Sequence, residues 1–241
     1  MDVTECLSAS DAARATSVLQ KLVRHDISRW ALTGGLAVEF HLKRLGLTAV
    51  ARTLNDIDFI ADSFDNIPQT LTRDFVFRHI HPYDPPAKTM LQCVEPDSAV
   101  RVDLFRAYGG VMSRAIRVET TLGSLRIVSY EDLAARTARL AIDLAGGVPI
   151  PAKHGRDFLR LIETLEPERV EAAWQDHRKP GHPVSFQEAA QQLRALIRTR
   201  IDLLISPEYS KDIYQVCGRC HESGAFRLAD PAVVLGLLGY C

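Results

Sequence analysis

The reading of this chain turns on Leu32-Thr33-Gly34-Gly35-Leu36, followed by Asn55-Asp56-Ile57-Asp58-Phe59. Arg29 to Thr33 is short and mostly apolar and runs into the glycine pair, after which Leu36, Ala37, Phe40 and Leu45 recur at near-helical spacing. That pattern predicts strand, glycine turn, helix, with Gly46 ending the helix where a residue free to take positive φ is common. Asn55 to Ala61 alternates charged and apolar groups, as a half-buried strand does. Alternation puts Asp56 and Asp58 on one face, about 7 Å apart along the strand by backbone rise.

Two carboxylates so placed are costly without a counter-charge. Hard oxygen donors suit Mg2+, which takes one or two protein carboxylates and completes its shell with water and substrate phosphate. Two such ions can clamp the attacking and leaving oxygens of an in-line displacement, and that arrangement usually needs a third carboxylate. Asp103, in Val102-Asp103-Leu104-Phe105, interrupts an otherwise apolar strand and supplies it. At Gly34 and Gly35 a strand-to-helix junction exposes backbone N–H groups at the positive end of a helix dipole, and the missing Cβ atoms let a phosphate approach. Thr33 could add a hydroxyl donor and Arg52 a positive charge for a triphosphate. Alone, a Gly-Gly pair is usually a tight turn and a D-x-D triplet a solvated strand edge. The order of apolar strand, Gly-Gly, helix, D-x-D strand and later acidic strand points to a nucleotide and metal site.

Outward from this stretch, Ala13, Val18, Leu19, Leu22 and Val23 mark an amphipathic helix over residues 10 to 27, with Ser10 before Asp11 as its cap. Strands are predicted at 75 to 80, 89 to 94, 99 to 105, 116 to 121 and 124 to 128, and the proline-rich 81 to 86 as a loop. From Tyr130 the period becomes helical, over 130 to 145, 153 to 165, 167 to 177 and 185 to 204, with Pro149, Pro151, Pro167 and Pro180 as punctuation. The expected class is α+β: a core over 1 to 128 with a mixed sheet flanked by helices, then a helical region over 129 to 241.

This arrangement resembles the nucleotidyltransferase superfamily of the DNA polymerase β type. Leu32-Thr33-Gly34-Gly35-Leu36-Ala37-Val38 with Arg52-Thr53-Leu54-Asn55-Asp56-Ile57-Asp58 looks most like its bacterial AbiEii-type toxin group. Tyr130-Glu131-Asp132-Leu133-Ala134 and Lys153-His154-Gly155-Arg156-Asp157 are similar to the helical segment that follows the sheet there. Where that group commonly carries a lysine after Asp132, this chain has Arg136-Thr137, and Lys153 could supply the cation. Where a further aspartate follows Arg-Asp, it has Arg160. The resemblance implies transfer of a nucleoside monophosphate from an NTP to a hydroxyl or phosphate acceptor (RNA, a protein or a small molecule such as an antibiotic). Asp56 and Asp58 would hold two Mg2+ ions, and Asp103 would bind the catalytic ion and help activate the acceptor. It also implies, for a toxin, a cognate antitoxin protein. A non-catalytic nucleotide-binding or regulatory protein of the same fold is the alternative.

The rest of the 241-residue sequence sets limits rather than adding signals. Its net charge of −1 gives no general drive toward nucleic acid or anionic membrane. No apolar run approaches the ~20 residues that cross a bilayer, and no leader pattern opens the chain, so the expected location is cytoplasmic. Five scattered cysteines do not form a secreted disulfide framework. Cys217-Gly218-Arg219-Cys220-His221 matches a haem attachment pattern that requires export and is rejected on that ground. Zinc on Cys217, Cys220, His221 and Cys241 is weighed against unligated thiols, which the missing second C-x-x-C pair favours. Arg194, Arg198 and Arg200 could touch an RNA backbone and equally make a solvated helix face.

Overall fold

The computed structural model describes residues 2–48, 50–64, 67–80, 90–148, 150 and 152–204. The weighed cysteine and histidine ligands and the 81 to 86 loop lie outside them. Among the described residues, seven strands form one mixed sheet: β1 Trp30–Leu32, β2 Asp56–Ala61, β3 Val76–Ile80, β4 Met90–Glu95, β5 Val100–Arg106, β6 Ile116–Thr120 and β7 Gly123–Ile127, in the order β3-β4-β5-β2-β1-β7-β6. β2 runs antiparallel to β1 and parallel to β5, and β7 runs parallel to β1. The fold is α+β.

The central strands explain their own placement. β1 is buried throughout, and in β2 Ile57 and Phe59 are buried while Asp56 and Asp58 stay half-exposed on the other face. Such alternation fits a strand with one face in the core and one at a cleft.

Among the described residues, seven α-helices accompany the sheet: α1 Ala9–Leu22, α2 Gly34–Arg44, α3 Val111–Arg114, α4 Tyr130–Ala145, α5 Lys153–Ile162, α6 Pro167–His177 and α7 Phe186–Thr199. α2 is buried almost all round, from Leu36 to Leu42, because it rests on β2 and is clasped by α4 and α5. α4 turns a stripe of Ala134, Ala135, Ala138 and Ala141 inward, letting α5, α6 and α7 approach closely. Trp174 lies 6.0 Å from Phe186 and Phe158 6.5 Å, ring centroid to centroid, at the centre of that helical layer.

Several boundaries differ from the sequence reading: α5 ends at Ile162 rather than 165, α7 at Thr199 rather than 204, and α1 differs at both ends. α1 stops at Leu22 rather than near residue 27, and His25 instead meets Thr70 Oγ1 at 2.7 Å and Asp74 Oδ2 at 2.9 Å. Its cap is Ser8, whose hydroxyl accepts from the Asp11 backbone N–H, and not Ser10. The short α3 and a 3-10 turn over Gln69–Arg73 carry too few residues for a period to show.

Candidate active site

Register builds the acidic cluster. In the parallel pair β2–β5, Asp58 stands beside Asp103, and Asp56 beside Arg101. Asp56, Asp58 and Asp103 each offer a carboxylate oxygen, and these atoms lie within 4.8 Å of one another. Asp103 is only 4 % exposed. Burial, with Asp58 and Asp56 alongside, pushes its carboxyl up to about 7 against the pull of Arg101 and Gln92. Asp58 is raised too, by burial and by Asp56, while Lys153, Arg136 and Arg101 oppose the shift. Three clustered carboxylates, with Asp58 and Asp103 held above the usual range, form a donor set for a hard divalent cation.

The glycine turn meets this cluster directly. Gly34 has φ +68°, and a Cβ there would lie 2.0 Å from Asp58 Oδ2, so conformation and space both demand glycine. A Cβ on Gly35 would lie 3.1 Å from Arg52 Nη1. The Thr33 backbone N–H donates to Asp58 O at 2.8 Å, locking the turn to the D-x-D strand. Thr33 Oγ1 is buried and accepts from Arg136 Nη1 at 3.0 Å, which leaves its own proton as a donor.

A cleft of ≈ 280 Å³ opens beside the turn. Gly35, Asp56 and Asp58 line one side, and Arg52, Lys153 and Arg156 bring positive charge. Lys153 is the first residue of α5, and among the described residues its ammonium has no carboxylate partner. Acid for a metal and base for a phosphate thus face the same space.

Arg52 lines the cleft, but its guanidinium is largely committed: Nε donates to Glu39 Oε1 at 2.7 Å and Nη2 to Asp157 Oδ1 at 2.5 Å. Glu39, 1 % exposed, also accepts from both Nη atoms of Arg160, at 2.5 and 2.9 Å, and from the Val50 backbone N–H at 3.0 Å. Burial would raise Glu39, yet Arg160 and Arg52 hold it below the usual carboxylate range. This network ties the segment entering Asp56 to α2 and α5. Arg52 therefore shapes the wall with two of its nitrogens.

Four contributors escape the sequence reading. Arg101 forms an ion pair with Asp56, and its buried Nε lies 3.1 Å from Asp103 Oδ1 without the alignment of a hydrogen bond. Gln92 Nε2 donates to Asp103 Oδ1 at 2.9 Å. Glu39 and Asp157 bind Arg52. Of these Arg101 carried a signal, since it sits two residues before Asp103 and so shares its face, and Asp157 stands in the Lys153 to Asp157 motif without an assigned role.

No protein-family model matches the chain, and no curated protein matches it. Among solved structures it is similar to an antigenic nucleotidyltransferase-like protein from Paracoccidioides brasiliensis, with 16 % identity, a TM-score of 0.38, and coverage of 86 % of this chain and 98 % of that one.

Proposed function

We propose that this protein is a Mg2+-dependent nucleotidyltransferase that moves a nucleoside monophosphate from an NTP to a hydroxyl or phosphate acceptor. The observation that carries the reading is the convergence of Asp56, Asp58 and Asp103 within 4.8 Å, with Asp56, Asp58, Gly35 and Lys153 lining one cleft. Asp56 and Asp58 would hold two Mg2+ ions and Asp103 one of them. Bound there, the metal supplies neutralisation of phosphate charge and polarises the reacting oxygens.

The chain's own groups do the remaining work. The N–H groups at Gly34 and Gly35 and the Thr33 hydroxyl cradle the β- and γ-phosphates, and Lys153 and Arg156 offset their charge. The acceptor oxygen attacks the α-phosphorus, a P–O bond forms, the bond to the β-phosphate oxygen breaks, and pyrophosphate leaves. Asp103 helps activate the acceptor: Gln92 occupies its Oδ1, so Oδ2 is the atom suited to take up the proton. Catalysis is positioning and electrostatics.

Within this reading, the finer assignment is a toxin of the AbiEii type, acting in the cytoplasm on RNA or protein and neutralised by a cognate antitoxin. It rests on the glycine and D-x-D motifs. An antibiotic-modifying enzyme would use the same donor side. Incubation with each α-labelled NTP, Mg2+ and cell extract should transfer label to an acceptor, and Asp58→Ala should abolish transfer. Nucleotide binding without transfer under any condition would identify the regulatory alternative instead. Growth arrest on expression separates a toxin from a protective enzyme.

A further inference from the structure

The three carboxylates share their face of the sheet with a cation. Arg101 lies two residues before Asp103 on β5, and the register of the parallel pair sets it beside Asp56 on β2. Its Nη2 donates to Asp56 Oδ2, and its Nε lies 3.1 Å from Asp103 Oδ1. One guanidinium thus reaches two of the three acids that converge within 4.8 Å. The arginine side chain is only 12 % exposed, so water and salt do not screen these contacts as they do a surface pair.

Which oxygens carry a donor decides what the arginine does. Among the described residues the Asp58 carboxylate and Asp56 Oδ1 accept no hydrogen bond, Asp103 Oδ1 accepts from Gln92, and Asp56 Oδ2 is taken by Arg101. Asp56 and Asp58 are the acids that the proposed function places on both ions, and a carboxylate shared by two cations gives one oxygen to each. Asp56 cannot do so while its Oδ2 holds the guanidinium. A second observation concerns the arginine itself. Its Nε is buried and makes no hydrogen bond among the described residues, which is costly for a donor closed to water, so the guanidinium is incompletely satisfied where it sits.

We infer that Arg101 is the cluster's own counter-cation and competes with divalent metal for Asp56. A first ion can enter on Asp58 and Asp56 Oδ1 with the arginine in place; full loading requires the guanidinium to release Asp56 Oδ2. Nucleotide favours that release, because its phosphates offer the guanidinium another anion. The inference rests on the metal site of the proposed function and adds to it an order of events: the nucleotide draws Arg101 away, and the second ion follows.

The test measures Mn2+ binding to the full-length protein without nucleotide, by electron paramagnetic resonance of the free ion. Arg101→Met keeps an apolar stem and removes the guanidinium, and it should bind Mn2+ about tenfold or more tightly than wild type. Lys153→Met controls for charge alone: burial and Asp56 raise the Asp58 carboxyl, and Lys153 opposes them more than Arg101 does. Its gain in Mn2+ affinity should nonetheless be the smaller, because Lys153 holds none of the three carboxylates. Melting curves report that each variant is folded. A measurement on wild type stands apart from the folding of Arg101→Met: the Arg101 Nε–H signal of 15N-labelled protein, assigned with Arg101→Lys, should exchange with water faster at saturating Mg2+ than without metal. Equal or weaker Mn2+ binding in Arg101→Met, an equal gain in Lys153→Met, or an Arg101 signal whose exchange Mg2+ leaves unchanged would overturn the inference while the metal site stands. Mn2+ binding absent from all three proteins would remove the metal site itself, and the inference with it.

Discussion

At Gly34 a single methyl group decides the site. With φ +68° and Asp58 Oδ2 at 2.0 Å from an added Cβ, Gly34→Ala must displace either the turn or the carboxylate. The variant is expected to stay folded but lose Mg2+-dependent nucleotide binding by tenfold or more, as read by calorimetry. Asp103 makes the opposite kind of test. Its carboxyl is raised in the folded protein to about 7 from an ordinary value of 3.8. The folded state then holds a proton that the unfolded state has released, so the contribution of Asp103 to metal-free stability is greatest below pH ~4 and falls as pH rises toward 7. Asp103→Asn should therefore raise the metal-free melting temperature at pH 8, flatten this pH dependence and abolish transfer. The residues with chemical signatures, Gly34, Asp56, Asp58 and Asp103, were legible in the sequence because strand alternation and the glycine pair are local patterns. Gln92 and Glu39 were not, because nothing local marks a glutamine on β4 or a glutamate on α2 as the partner of a residue on another element.

Among the elements, the strands and long helices followed from period alone, whereas the end of α1 was set by tertiary contacts of His25 that no period records. The Glu39 network shows how elements hold the cleft. Glu39→Ala strips Arg52 and Arg160 of a shared buried carboxylate, and removing one partner of a buried ion pair costs about 3–5 kcal/mol. Denaturant unfolding should show that loss, with nucleotide affinity falling as the wall segment loosens. At the other end of the sheet Lys21 on α1 donates to Glu95 on β4 at 2.5 Å. Burial works to raise Glu95, but Lys21, Ser98 and the backbone at Asp97 and Ser98 bring its carboxyl down to about 2 from 4.5. A depressed carboxylate stabilises above the unfolded value and loses that contribution as pH falls from 4.5 through 2. Glu95→Gln should make the protein less sensitive to acid over that window, measured by the pH dependence of the melting temperature.

Across the whole molecule, the shift from strand to helical period near residue 128 coincides with the end of β7 at Ile127. One hydrophobic core nonetheless runs from Val3 to Leu203 through both regions, and Arg136 on α4 reaches back to Thr33. We therefore expect one cooperative calorimetric transition, with the 1–128 fragment failing to fold alone. None of the described helices is long and apolar enough to cross a membrane. In the proposed function the acidic cluster and the cleft form one metal–nucleotide site. Its most direct test is Mn2+ binding, followed by electron paramagnetic resonance with and without a non-hydrolysable NTP, in wild type and Asp58→Asn. Expected is Mn2+ binding that the nucleotide tightens at least tenfold and that the variant loses. Mn2+ affinity that is indifferent to the nucleotide, or equal in the two proteins, would contradict it.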